Sequence, residues 1–170
     1  MILARKELLG ALKTKEMAIT PFDSKCVGAC SVDLHLGNKF KVFAGAGGKP
    51  IEVNEETVFP SKKITVGAGK FLELKPMQFV LGVTRENIRL SPAYCARIDG
   101  RSRFARLGLM VHVSSSLIHP GSDNVQVLEI VNLSPETLLL RPGTRICQVV
   151  FERLSSPAEY SGRFKRQKGL

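Results

Sequence analysis

Short apolar runs divided by turn residues dominate this chain, and their spacing predicts a mainly β protein. The exception comes first. Between residues 3 and 14, Leu3, Leu8, Leu9, Ala11 and Leu12 recur at helical spacing and predict a short amphipathic helix, which Gly10 weakens slightly. In 31–37, Val32, Leu34 and Leu36 alternate with Asp33 and His35, so a half-buried strand is expected to end at the Gly37 turn. Asp33 and His35 then read as residues of its wet face. Residues 44–50 (A-G-A-G-G-K-P) predict a flexible hairpin connection; a phosphate-binding loop would continue with Ser or Thr and a helix, where this chain has Pro50. Further strands are predicted at 51–53, 64–66, 71–74, 79–83, 88–90, 94–98, 109–113, 125–131, 138–140 and 146–151. Pro60, Gly67, Gly69, Pro76 and Pro92 punctuate them, the pattern of an antiparallel sandwich or barrel. With no repeat and no low-complexity linker, the expectation is one domain over 1–170.

Charge adds a preference in partners. Lys and Arg outnumber Asp and Glu by 25 to 15, a formal net charge of +10, so the surface attracts nucleic acid, acidic lipid or phosphorylated small molecules. With 9 Phe, 2 Tyr and no Trp, rows of stacking rings for nucleic acid are missing. The basic residues form no long block and cluster only at Arg163, Lys165, Arg166 and Lys168, which favours a local phosphate site over a nucleic-acid tail. Cys26, Cys30, Cys95 and Cys147 fit no paired zinc spacing and are too few to staple a fold of this size; free thiols in a reducing cytoplasm are expected. Arg5 and Lys6 interrupt the first apolar run too early for a signal segment. No run approaches the roughly 20 apolar residues of a spanning helix, so a soluble protein without a membrane partner is expected.

Candidate chemistry concentrates between 97 and 132. Arg101, Ser102, Arg103 and Arg106 follow a predicted strand and open a helical or turn segment, where backbone N–H groups, a hydroxyl and guanidinium forks suit phosphate oxygens. An arginine-rich exposed turn is, equally, often only solvated. Glu129 interrupts an apolar strand; strand parity puts it on one face with Val125, Val127 and Val131, and Gln126, Leu128 and Ile130 on the other. A carboxylate on an apolar face is expected to have a raised pKa, which would suit a proton shuttle near neutral pH. An ion pair with one of the arginines explains it as well. Zinc-dependent base deamination would need H-x-E and a later P-C-x-x-C. His35, His112 and His119 lack the glutamate two residues on, and no C-x-x-C exists.

Four stretches carry a resemblance: S-V-D-L-H-L-G at 31–37, G-R-S-R-F-A-R-L-G-L at 100–109, V-L-E-I-V-N at 127–132 and R-P-G-T-R-I-C-Q-V-V-F at 141–151, followed by Y-x-x-R-F-x-x-Q at 160–167. In this order they resemble dCTP deaminase, of the trimeric dUTPase-like group. The resemblance implies a distorted, jelly-roll-like β-barrel of dUTPase type with a short N-terminal helix, assembled as a homotrimer with sites between subunits. It implies zinc-independent hydrolysis of dCTP to dUTP and ammonia in pyrimidine deoxynucleotide metabolism, a hydrolase reaction at a cyclic amidine C–N bond. Glu129 would relay protons, assisted by Ser102 and Arg106. Arg101, Ser102, Arg103, Phe104, Ala105 and Arg106 would grip a triphosphate that carries Mg2+. His119, Val127, Leu128 and Glu129 would line the nucleotide site, and Tyr160, Arg163 and Gln167 would belong to a lid over 155–170.

This chain departs from the family pattern in places. Arg103 stands where a second serine is usual, and Ser114, Ser115 and Ser116 replace a T-A-G-like stretch. His119 replaces an aspartate that contacts the sugar 3′-OH and that dUTP-hydrolysing relatives need. Histidine can exchange a hydrogen bond with a sugar hydroxyl but does not replace a carboxylate that orients water. These changes count against two alternatives, dUTP diphosphatase and a bifunctional deaminase–dUTPase, more than against deamination. A non-catalytic nucleotide-binding protein is a third alternative.

Overall fold

The computed structural model describes residues 1–45, 48 and 50–170. The elements in order are α1 (Arg5–Lys13), β1 (Met17–Thr20), a 3-10 turn at Ser24–Cys26, β2 (Val32–Phe43), β3 (Ser61–Thr65), β4 (Leu72–Leu74), β5 (Phe79–Leu90) and β6 (Tyr94–Gly100). Then come α2 (Ser102–Ala105), β7 (Leu109–Val111), β8 (Leu117–Ile118), β9 (Asp123–Asn132), β10 (Leu138–Leu140) and β11 (Arg145–Arg153). The fold is mainly β, with a short N-terminal helix, as the apolar spacing predicts. Part of the Gly-rich connection read at 44–50 lies outside the described residues.

One antiparallel sheet runs β7-β9-β5-β2-β11-β6-β8, with β1 added to β5 and β3 to β2, while β10 and β4 form a separate pair. The chain itself shows that this sheet curls. Seven strands laid flat would put β7 and β8 about 29 Å apart at the usual spacing of about 4.8 Å. Yet only residues 112–116 join them, and the steps from Val111 to Leu117 reach about 21 Å at most. The sheet therefore bends until its ends approach, and the bulges in β2, β5 and β11 supply local twist. Inside lie Phe40, Tyr94 and Phe151 with Leu34, Leu36, Ile88, Leu128 and Ile130, all essentially without solvent contact. Leu8 and Ala11 seat α1 on this core, and the Leu3 N–H donates to the Phe151 carbonyl.

Element-level expectations are revised in several places, and the strand expected to end at Gly37 continues as β2 to Phe43. The runs at 79–83 and 88–90 are one strand, because Arg85 and Glu86 sit in a bulge between Val83 and Asn87. There Glu86 is buried, accepting the His35 backbone N–H at 2.9 Å and lying 2.6 Å from His35 Nδ1, so His35 is a structural partner and not a solvent-facing residue. Residues 51–53 are irregular and exposed. β1 was not predicted, since only Met17 and Ile19 mark its buried face before Pro21 stops it.

Candidate active site

β9 presents two unlike faces. Gln126, Leu128, Ile130 and Asn132 are buried, whereas Val125, Val127, Glu129 and Val131 are half-buried; Val125, Val127 and Glu129, with Gln126, line a cavity of about 650 Å³. The parity predicted for Glu129 holds, but its face is the wall of a recess. The segment 112–116, which joins the two ends of the sheet, folds over its carboxylate. The N–H groups of Ser114 and Val113 donate to Glu129 Oε2 at 2.6 and 3.0 Å, and the Ser114 hydroxyl lies 3.0 Å from both carboxylate oxygens. Burial, the largest single influence, pushes the carboxyl pKa up; the Ser114 N–H and hydroxyl, the charge of His112 and the Val113 N–H together outweigh it and hold the pKa below the ordinary value. The expected rise is thus overturned, because the group is solvated by its own loop.

His112 shapes that loop. Its φ of 65° lies in the left-handed region, a strained conformation for a non-glycine residue. Its backbone N–H donates to the Glu129 carbonyl at 2.7 Å, and its Nε2 donates to the Ser115 carbonyl at 2.6 Å. Among the described residues its buried Nδ1 has no hydrogen-bond partner. In the sequence His112 carries weight only as a zinc ligand lacking its motif, and nothing in the spacing marks it as the clamp on Ser115.

The far rim is made by His119 and the C-terminal segment. The His119 and Tyr160 rings stack 4.3 Å apart and 9° from parallel. The Asp123 N–H donates to the Lys165 carbonyl at 2.9 Å, the Val125 N–H to the Gln167 carbonyl at 3.2 Å and the Asn124 side chain to the Phe164 carbonyl at 2.7 Å. The strap thereby adds to β9 much as an extra strand would. Tyr160, Arg163, Phe164 and Gln167 all line the cavity, as do His119, Val127 and Glu129.

A model of the dCTP deaminase-like family matches residues 2–154. The chain belongs to that family. A dCTP deaminase from Thermomicrobium roseum is 38% identical over 170 residues, covering 98% of this chain and 86% of that protein. A dUMP-forming dCTP deaminase from Dictyoglomus turgidum is 36% identical over 178 residues, covering 99% and 92%. The solved 2′-deoxycytidine 5′-triphosphate deaminase from Agrobacterium tumefaciens matches with a TM-score of 0.66 at 21% identity, over 91% of this chain. This chain spans about half that protein's length, 48%, and the match shows a shared fold.

Within this member of the dCTP deaminase-like family, the residues singled out in the sequence fall into two groups. His119, Val127, Glu129, Tyr160, Arg163 and Gln167 surround one cavity. Leu128 sits beside them in sequence but its side chain is fully buried in the core, so only its backbone is near the recess. The α2 segment stands elsewhere, and none of Arg101, Ser102, Arg103, Phe104, Ala105 and Arg106 lines that cavity. Ser102, Arg103, Ala105 and Arg106 are exposed, and Phe104 packs against the core. Arg101 is tied down: it pairs with Asp33 at 3.1 Å and donates to the Arg145 carbonyl at 2.7 Å. Asp33 is accordingly a half-buried anchor, also 3.7 Å from Arg145, not the wet-face residue its alternation predicts. All four cysteines are free, with Cys26 and Cys147 buried, and burial raises the Cys147 thiol pKa. Among the described residues no group of three or more His, Cys, Asp or Glu is placed to hold a metal ion.

Proposed function

We propose that the protein is a dCTP deaminase, converting dCTP and water to dUTP and ammonia. The observation that carries this reading is Glu129, kept charged by the 112–116 segment at the wall of a recess large enough for a nucleotide. A charged carboxylate can take a proton from water as the water oxygen bonds to C4 of cytosine, and pass it to N3. The same carboxylate then moves the new hydroxyl's proton to the amino group, which leaves as ammonia while C4 becomes a carbonyl. The names of the relatives from Thermomicrobium roseum and Dictyoglomus turgidum support this substrate. It is a hydrolase reaction at the cyclic amidine C–N bond.

The phosphate end is supplied by a second subunit in a homotrimer. Ser102, Arg103 and Arg106 are exposed and away from the Glu129 cavity of their own chain, so a neighbour's α2 completes the site and grips the triphosphate with its Mg2+, which enters as part of the substrate. Ser102 and Arg106 assist the reacting end of that site. Residues 155–170 form its lid, with Tyr160, Arg163 and Gln167 over the nucleotide. The product is dUTP, because His119, stacked on Tyr160, stands where hydrolysing family members carry a carboxylate. The free thiols fit work in a reducing cytoplasm.

Purified protein given dCTP and Mg2+ should release ammonia and dUTP in equal amounts. Glu129→Gln should reduce release to background. Undiminished release by that variant overturns the mechanism, and dUMP as product overturns the assignment made to His119.

A further inference from the structure

Lys168 and Gly169 wall a second recess, of about 370 Å³, and Val125 lines both it and the Glu129 cavity. Its floor is formed where the bulges of β2 and β5 meet. A Cβ built on Gly37 would lie 2.9 Å from the Val83 carbonyl oxygen, so the two backbones approach closely here. Around this floor stand Lys39, Arg85 and Lys168, and no Asp or Glu lines the recess. Among the described residues none of these three cations has a carboxylate partner; the ion pairs formed involve other residues. Glu86, next to Arg85 in sequence, is buried and engaged by His35.

Three exposed cations without carboxylate partners around one concave floor concentrate positive potential there, and a bound anion would relieve their mutual repulsion. Arg85 brings a fork suited to two phosphate oxygens, and the lysines bring mobile point charges. The volume accepts a short phosphate chain. Position matters as much as charge. Lys168 follows Gln167, whose carbonyl accepts the Val125 N–H, so whatever holds Lys168 also holds the strap against β9.

We propose that this recess is a second anion site, taking a polyphosphate group, and that its occupation fastens the strap over the Glu129 cavity. Binding at this site does not depend on the deaminase reading; its effect on the strap extends that reading.

The test uses inorganic pyrophosphate, titrated calorimetrically into the full chain carrying Arg106→Ala, which weakens the proposed α2 grip. Saturable binding should persist, and adding Lys39→Ala and Arg85→Ala should weaken it at least roughly tenfold. Lys168→Ala, at an exposed strap position, should weaken it too. Hydrogen exchange at the Asp123 and Val125 amides should slow with pyrophosphate when Lys168 is present and be unchanged when it is absent. Absence of binding at millimolar pyrophosphate, or equal binding after the Lys39 and Arg85 changes, overturns the site. If wild type and Arg106→Ala bind identically, the α2 grip fails while the recess stands. Repeating the titration in saturating dCTP separates the sources: persistent binding means a free anion occupies the recess, and competition means the nucleotide's own phosphates reach it.

Discussion

Glu129 owes its charge to a handful of atoms that strand parity cannot reveal. Its face on β9 was legible from Val125, Val127 and Val131, but the sign of its pKa shift was not, because two backbone N–H groups arrive from a loop remote in sequence. A depressed pKa keeps Glu129 ionised as pH falls through the ordinary carboxylate range, so with Glu129 as the proposed base kcat/KM should hold across it and decline only at lower pH. Ser114→Ala removes the hydroxyl but not the backbone donors. Its acid limb should therefore begin at higher pH than in wild type, with the pH–rate profile as the measure. Leu128→Ala should act differently, costing about 2–5 kcal/mol of stability by chemical denaturation, since that neighbour lies wholly in the core.

At the scale of elements, regular strands were easiest to read. β9 and β11 were found because alternation or dense apolar character extends over enough residues to outvote local exceptions, whereas β2 was read only as far as Gly37 and runs on to Phe43. β5 was split because its bulge places Arg85 and Glu86 mid-strand, and a single sequence does not show that His35 hydrogen-bonds the second of them. The strap was legible only through family resemblance; its Tyr160 contact with His119 required the fold. Tyr160→Phe should preserve stacking and a near-normal KM for dCTP, whereas Tyr160→Ala should raise KM several-fold. The exit from α2 is equally constrained. Gly108 has a φ of 76°, and an added Cβ would meet Ser134 N at 2.8 Å. Gly108→Ala should thus destabilise by more than ~1 kcal/mol, visible as a lowered Tm.

For the whole molecule, the separation of α2 from the Glu129 cavity makes a sharp prediction. Glu129→Gln and Arg106→Ala should each be inactive alone. Co-expressed, they should recover part of the activity, because mixed assemblies of the proposed homotrimer would contain sites with an intact Glu129 from one chain and an intact Arg106 from another. No recovery in mixed trimers would place the whole site within one subunit. The net charge of +10 bears on this assembly only indirectly, through attraction of a polyanionic substrate.

The short link between the two ends of the sheet has a thermodynamic consequence. Residues 112–116 both draw β7 toward β8 and hold the Glu129 carboxylate, so ordering at one task is ordering at the other. Free energy released when a nucleotide engages Glu129 should then reach the two ends of the sheet that this link joins. Fraying of β7 and β8 would become rarer in the complex, and the amides of Val111 and Ile118 should exchange more slowly with solvent while those of distant β10 keep their rates.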